Sequence, residues 1–322
     1  MLQDLGCWSA TGQSALVVSA IGQPRWARAA DAALLDLAPL AGSRIAVSDL
    51  DRFGYDAHAW VRTLSASQWA KQTRTTFEAV HCRPAPSAVR ANDYDFAALH
   101  DEEASLRQLG DTLSAASRSF AAWLLPPALG VAQRVRDKLE QWLGVRVGEC
   151  LSQPGGPAGA RFERARDNLF ARRGVTQLRG QVIGLSANVE GWSARWTDGQ
   201  HEHSCQADRV ILACGGIVSG GLRLGAPRLD APASLAFELS LGLQVPLAAG
   251  SARVHQAGTL HGVDVMVSGL SLLEKIGVIA PEAQIEGTPG LFAAGDVITN
   301  GPRTVLGAVQ SGCRSAQRAT SD

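Results

Sequence analysis

The chain has 322 residues, with 30 basic and 30 acidic side chains, no formal net charge and 46% hydrophobic content. Its length is enough for two domains with cores of their own. The charge balance argues against a nucleic-acid binder or a protein built for anionic membranes, and no apolar run approaches the ~18–20 residues of a membrane span. The start, Met1-Leu2-Gln3-Asp4-Leu5-Gly6, has no basic region followed by an apolar core, so no signal peptide is expected. Cys7, Cys82, Cys150, Cys205, Cys214 and Cys313 are dispersed, with no Cys-x-x-Cys pair. They suit reduced thiols of a cytoplasmic protein rather than a disulfide framework, a zinc site or an iron–sulfur cluster.

In chain order, Ala15-Leu16-Val17-Val18-Ser19-Ala20-Ile21-Gly22 reads as a buried parallel-sheet strand ending in glycine. Residues 27–38 are rich in helix formers and predict a helix. Arg44-Ile45-Ala46-Val47 predicts a strand, 56–70 and 102–118 predict helices, and Ser119 to Leu125 is an apolar run stopped by Pro126-Pro127-Ala128-Leu129-Gly130. A helix is expected again over 131–143. This alternation implies an α/β layer structure. Gln153-Pro154-Gly155-Gly156-Pro157 is the densest cluster of turn formers, and divides the chain into a 1–152 α/β domain and a 153–322 domain.

The second part opens with a helix over 158–173. Phe162, Ala165 and Leu169 share one face, while Arg164, Arg166, Arg172 and Arg173 crowd the others. Those arginines read as an anion-binding surface or, with Glu163 and Asp167 nearby, as a solvated face. Strands follow at 181–185, 191–197 and 204–212, with Asp198-Gly199 as a hairpin turn. His201, His203 and Cys205 beside that turn have no partner Cys/His pair elsewhere, so no metal is expected.

Two motifs carry chemistry. Val210-Ile211-Leu212-Ala213-Cys214-Gly215-Gly216 runs a strand into glycines, which let backbone approach a bulky ligand. Pro289-Gly290-Leu291-Phe292-Ala293-Ala294-Gly295-Asp296-Val297 is a strand end that delivers one carboxylate to a cofactor's sugar-like chain. Beyond it, Pro302 precedes a helix start near Thr304, whose free N–H groups and positive potential would face the cofactor, with Arg303 adding a charge or standing as a surface-loop residue. The candidate cofactor-binding residues are Cys214, Gly215, Gly216, Gly295, Asp296, Arg303, Thr304 and Val305. His255 or His261, in the glycine-rich stretch before the Gly-Asp strand, is a candidate proton acceptor or an ordinary structural histidine. No GxGxxG occurs in the sequence, so the recognisable part of a cofactor site is the flavin side rather than the ADP side.

The Leu291–Val297 segment resembles that of flavoproteins with the two-dinucleotide fold, where this Gly-Asp holds the flavin ribityl chain. Four segments, in order, resemble the B subunit of anaerobic glycerol-3-phosphate dehydrogenase. They are Phe120 to Gly130; Pro157-Ala158-Gly159-Ala160-Arg161-Phe162 through Arg173-Gly174-Val175; Ala213-Cys214-Gly215-Gly216-Ile217-Val218-Ser219-Gly220-Gly221-Leu222; and Leu291–Val297. The resemblance implies a Rossmann-like FAD/NAD(P)-binding type flavoprotein fold, shortened before its usual GxGxxG, with an additional α/β domain. It implies an oxidoreductase subunit carrying FMN or FAD, an FAD-containing A-subunit-like dehydrogenase partner and an iron–sulfur C-subunit-like membrane anchor. The complex would oxidise sn-glycerol 3-phosphate to dihydroxyacetone phosphate and pass electrons towards quinone, with the hydride step on the partner. The chain itself would be cytoplasmic, or held at the inner membrane through its partners. A non-catalytic assembly subunit that has lost its flavin, and another fumarate-reductase-like FAD oxidoreductase, are the alternatives.

Overall fold

The structure is a computed structural model that describes residues 3–9, 14–50, 55–82, 91–117, 119–153, 155–224, 237–241, 243, 245–248, 254–257, 260–263, 275–300 and 303–321. The chain divides into two compact units, Met1–Gln177 and Leu178–Asp322.

The first unit is built on a four-stranded, all-parallel sheet of β1 (Arg44–Leu50), β2 (Thr76–Cys82), β3 (Ala122–Leu125) and β4 (Arg146–Glu149), in the order β2-β1-β3-β4. Parallel neighbours require crossover connections, and helices supply them. α1 (Ala57–Ala66) and α2 (Gln68–Thr73) join β1 to β2, α3 (Asp93–Leu99) and α4 (Glu103–Ser117) join β2 to β3, and α5 (Arg136–Leu143) joins β3 to β4. Strand alternation splits the apolar residues between two cores. Ile45, Val47, Ala122 and Leu124 pack with Trp60, Leu64 and Ala70 of α1 and α2. Ala46, Leu50, Trp123 and Leu125 pack with Phe96, Leu106, Leu113 and Leu139 of α3, α4 and α5. Both faces are covered, which is why residues 45–47 of β1 and the whole of β3 read as apolar runs.

The segment 27–38 is not a helix. Pro24–Ala27 ends at its start and pairs antiparallel with Ala15–Val18, so the 15–18 strand is not part of the parallel sheet; Ala30–Asp31 is a further short strand, followed by turns. Two aspartates divert its backbone: Asp31 Oδ1 accepts from Ala33 N–H (2.8 Å), and Asp36 Oδ1 accepts from Leu16 N–H (2.8 Å) and Ala38 N–H (3.0 Å). Such local bonds offer the chain an alternative to helix. Residues 33–35 instead run beside β4, with Leu35 N–H donating to Glu149 O (3.0 Å) and Glu149 N–H to Ala33 O (2.9 Å). Gly148 makes this approach feasible, because a Cβ there would collide with the Leu35 backbone.

The helix expected over 131–143 begins only at Arg136, since the Asp101 carboxylate accepts from the N–H groups of Val131, Ala132 and Gln133. Helix α6 (Pro157–Arg172) lies within the first unit, so the division falls after Gln177 and not at 152/153. Its buried side chains are Pro157 and Arg161; Phe162, Ala165 and Leu169 are only half-buried. Arg161 ties the helix to Asp31 and Glu149, a long-range attachment that the turn-rich 153–157 stretch conceals.

The second unit opens with an antiparallel meander of β5 (Gln181–Asn188), β6 (Gly191–Thr197) and β7 (Glu202–Ala207), with the expected hairpin at Asp198-Gly199. β8 (Val210–Leu212) then pairs in parallel with β9 (Leu291–Ala293), and α7 (Val305–Ser321) packs on them. The core contains Trp192, Leu212, Leu222, Ile276, Val278, Leu291 and Val297. Among the described residues, no helix is long and apolar enough to cross a membrane.

Candidate functional site: a cleft at the end of a parallel strand pair

β8 and β9 run in register, Val210 opposite Leu291 and Leu212 opposite Ala293. Their carboxyl ends therefore emerge together, and Ala213-Cys214-Gly215-Gly216 comes to lie near Ala294-Gly295-Asp296. Gly215 (φ +80°) and Gly295 (φ +75°) both adopt the left-handed conformation that glycine reaches without cost. Helix α7 is fastened along the second of these turns. Gly295 N–H donates to Ser311 Oγ (2.8 Å), and Ser315 Oγ–H bonds Ala293 O (2.5 Å). Thr304 caps the helix, its Oγ1 accepting from Gly307 N–H at 3.0 Å. The helix start expected near Thr304 is therefore present; Pro302 lies outside the described residues.

These elements enclose an open cleft of about 470 Å³, walled mainly by small residues: Ala213, Gly215, Ala294, Gly295, Ala308 and Gly312. Asp296, Arg303, Thr304 and Val305 supply the rest of its lining. The Asp296 carboxylate has no hydrogen bond or ion pair with any described residue, and Val305 in the first turn of α7 is 54% exposed. The site thus joins an unpartnered acceptor to the donor end of a helix. It can accept hydrogen bonds from a polyol and place backbone N–H groups against a carbonyl or oxyanion.

Six of the eight sequence candidates line this cleft: Gly215, Gly295, Asp296, Arg303, Thr304 and Val305. Cys214 and Gly216 stand outside the lining. Burial pushes the Cys214 thiol above its ordinary range. Gly216 is packed against the turn, where a Cβ would come within 2.7 Å of Asp296 O. Arg303 is neither a free charge nor a loose surface residue. Its guanidinium donates to the carbonyls of Asp296, Ile298 (2.9 Å) and Ile276 (2.6 Å), clamping the turn. Sequence reasoning missed Ala308, Ser311, Gly312 and Ser315, although their small size at helical spacing marks a close-packed helix face.

Val210 N–H donates to Gly290 O and Leu212 O accepts from Ala294 N–H, so the Ile211 peptide groups face away from β9. Among the described strands none pairs with that side, and Ile211 is 39% exposed.

The other singled-out residues lie elsewhere. His203 Nε2 bonds Asp198 Oδ2 (3.0 Å) and its ring stacks on Trp196 at 4.2 Å between centroids. The N–H of His201 and the His203 ring hold the Asp198 carboxyl below its usual range. Cys205 is exposed on the meander. His255 and His261 fall on paired strands, opposite Gly262 and Gln256, and their side chains lie outside the described residues. No family model, curated protein or solved structure matches the chain.

Proposed function

We propose that the chain is a flavoprotein subunit of a glycerol-3-phosphate dehydrogenase-like complex, with FMN or FAD held in the Asp296 cleft. The observation that carries this reading is the Asp296 carboxylate, without a partner among the described residues, on a cleft that also receives the amino end of α7. The cleft volume lies within the ~300–1,000 Å³ usual for small-molecule sites. The donor set also suits the group: a carboxylate for ribityl hydroxyls, unblocked backbone where Gly215 and Gly295 carry no side chain, and helix N–H groups for a ring oxygen. In finer terms, the parallel β8–β9 pair with glycine-rich ends supports a Rossmann-like flavoprotein fold for the second unit.

A bound flavin would supply hydride- and electron-accepting chemistry. The chain's own residues would bind and orient it: Asp296 as hydrogen-bond acceptor, Thr304 and Arg303 by fixing the helix start and the turn. Oxidation of sn-glycerol 3-phosphate would take place on an A-subunit-like partner, with an iron–sulfur C-subunit-like partner at the membrane. The chain would then be cytoplasmic or peripheral through those partners. The test is a visible absorbance titration of the purified chain with FMN and with FAD. A saturable flavin band that weakens in Asp296→Ala is expected; no binding of either flavin at 100-fold the protein concentration overturns the reading. One observation favours the alternative of an assembly subunit, namely the Ile211 edge, which no described strand pairs and which is a ready template for a strand of another chain. That alternative predicts partner capture without flavin.

A further inference from the structure

The first unit contains a second concave site, which shares no residue with the Asp296 cleft. A cavity of about 300 Å³ lies between residues 5–7, residues 131–134 and one face of α6. It sits by the carboxyl ends of the parallel strands: the 131–134 loop follows β3, and Arg161 in its wall bonds Glu149, the last residue of β4. Open α/β sheets take their ligands at this end.

Four arginines line the cavity, Arg134, Arg161, Arg164 and Arg172, and no aspartate or glutamate does. Three of them, with Asn168, form a single stripe on α6 at positions 161, 164, 168 and 172, a spacing that keeps them on one helix face. The charges are not equivalent. Arg161, 8% exposed, is matched from behind by Asp31 (3.1 Å) and Glu149, and it also donates to Gly130 O at 2.6 Å. Glu149 is anchored in turn by the N–H groups of Ala128 and Leu129, both at 2.8 Å. Arg161 is therefore a fixed floor without surplus charge.

The other three carry the surplus. Among the described residues Arg164 has no ion pair or hydrogen bond. Among the described residues Arg134 has an ion pair only to Asp137, at 4.0 Å between largely exposed side chains. Arg172 donates to the Asp4 carbonyl at 3.2 Å, a neutral acceptor, while the Asp4 carboxylate lies 3.8 Å from Arg173. The Asp101 carboxylate, close by, is taken up by the N–H groups of residues 131–133. Converging guanidinium groups repel one another unless an anion lies between them, and their planar forks match phosphate oxygens.

We infer that this cavity binds a small phosphate-type dianion, free or as the end of a small phosphate monoester, held by Arg134, Arg164 and Arg172 with Asn168 as a further donor. The concave shape and modest volume favour a small molecule over a nucleic-acid strand, as does the chain's zero net charge. Cys7, also in the wall, is a neutral lining group, because burial first and Asp31 second push its thiol up.

The test is calorimetric titration of the full chain with inorganic phosphate, phosphoglycolate and glucose 6-phosphate, at matched ionic strength against chloride. Saturable binding to phosphate or an ester is expected, and preference among the three separates free phosphate from small and larger esters. Arg164→Gln should weaken binding about tenfold and leave the fold intact, since Arg164 has no partner among the described residues; Arg164→Lys should retain part of the affinity. The Arg164→Gln/Arg172→Gln double variant should abolish it. The inference is overturned if the wild-type chain shows no saturable binding of any of the three at 10 mM. It is equally overturned if Arg164→Gln binds as tightly as wild type, or if a single-stranded oligonucleotide binds through these arginines while the small phosphates do not. None of these outcomes bears on the flavin reading, whose residues all lie in the other unit.

Discussion

Each unit places a carboxylate at the carboxyl end of a parallel strand, and their fates differ. In the first unit Glu149 is fully buried and met by Arg161 and two peptide N–H groups, while Asp31 takes the other side of the same guanidinium. In the second, Asp296 follows β9, and Arg303, which also lines the cleft, donates to the carbonyl oxygens of Asp296, Ile298 and Ile276. A carboxylate whose cation is supplied by the chain is structural; one left to face a cleft awaits an external donor. The sheets differ in the same sense. The first is covered on both faces by helices, whereas no described strand pairs the outer edge of β8.

The largest effect that would break this contrast is expected at Arg161. Arg161→Ala strands Asp31 and Glu149 as buried charges and should destabilise the first unit by about 3–5 kcal/mol, read by urea unfolding. A loss below about 1 kcal/mol would mean that the cluster is not a structural staple. Asp296→Ala should do the opposite, leaving stability within about 0.5 kcal/mol while weakening flavin binding by about 1.5–3 kcal/mol, or roughly tenfold to a hundredfold. Equal flavin occupancy at limiting concentration would remove Asp296 from the site. Thr304→Ala removes the cap of α7 and should cost about 1 kcal/mol in thermal unfolding. An unchanged unfolding curve would mean that water replaces the cap fully. The smallest effect on stability is expected for Ile211→Lys, within about 0.5 kcal/mol, since the side chain is exposed and the edge unpaired. The same change should reduce self-association in sedimentation experiments; unaltered self-association would show that the β8 edge is not the contact.

The legible parts of the fold were those where one physical term dominates. Residues 45–47 of β1 and all of β3 are apolar because the sheet is buried on both faces, and Asp198-Gly199 is a turn whatever surrounds it. β2 escaped notice because Thr76–Cys82 is an edge strand whose residues alternate between buried and exposed, and whose Glu78 and His81 disguise it. The 27–38 segment misled because helix propensity is a weak preference, here overruled by Asp31, Asp36 and the approach to Gly148. In the candidate site, the two glycine-rich strand ends could be read separately and the structure brings them to one cleft. The clamp made by Arg303 and the floor made by Arg161 could not be read, because a guanidinium in sequence carries no sign of which carbonyls or carboxylates it will meet.

Ser311 and Ser315 bear on how firmly the wall of the cleft is held. Through Gly295 N–H and Ala293 O they bind the strand end and the Gly-Asp turn to the middle of α7, so the turn cannot loosen without breaking bonds to the helix. The amide proton of Gly295 should therefore exchange with solvent at a rate set by the opening of that helix segment rather than by fraying of a surface turn. Turn and helix form one cooperative exchange unit, and any ligand that slows exchange at Gly295 should slow it along the middle of α7 by a similar factor.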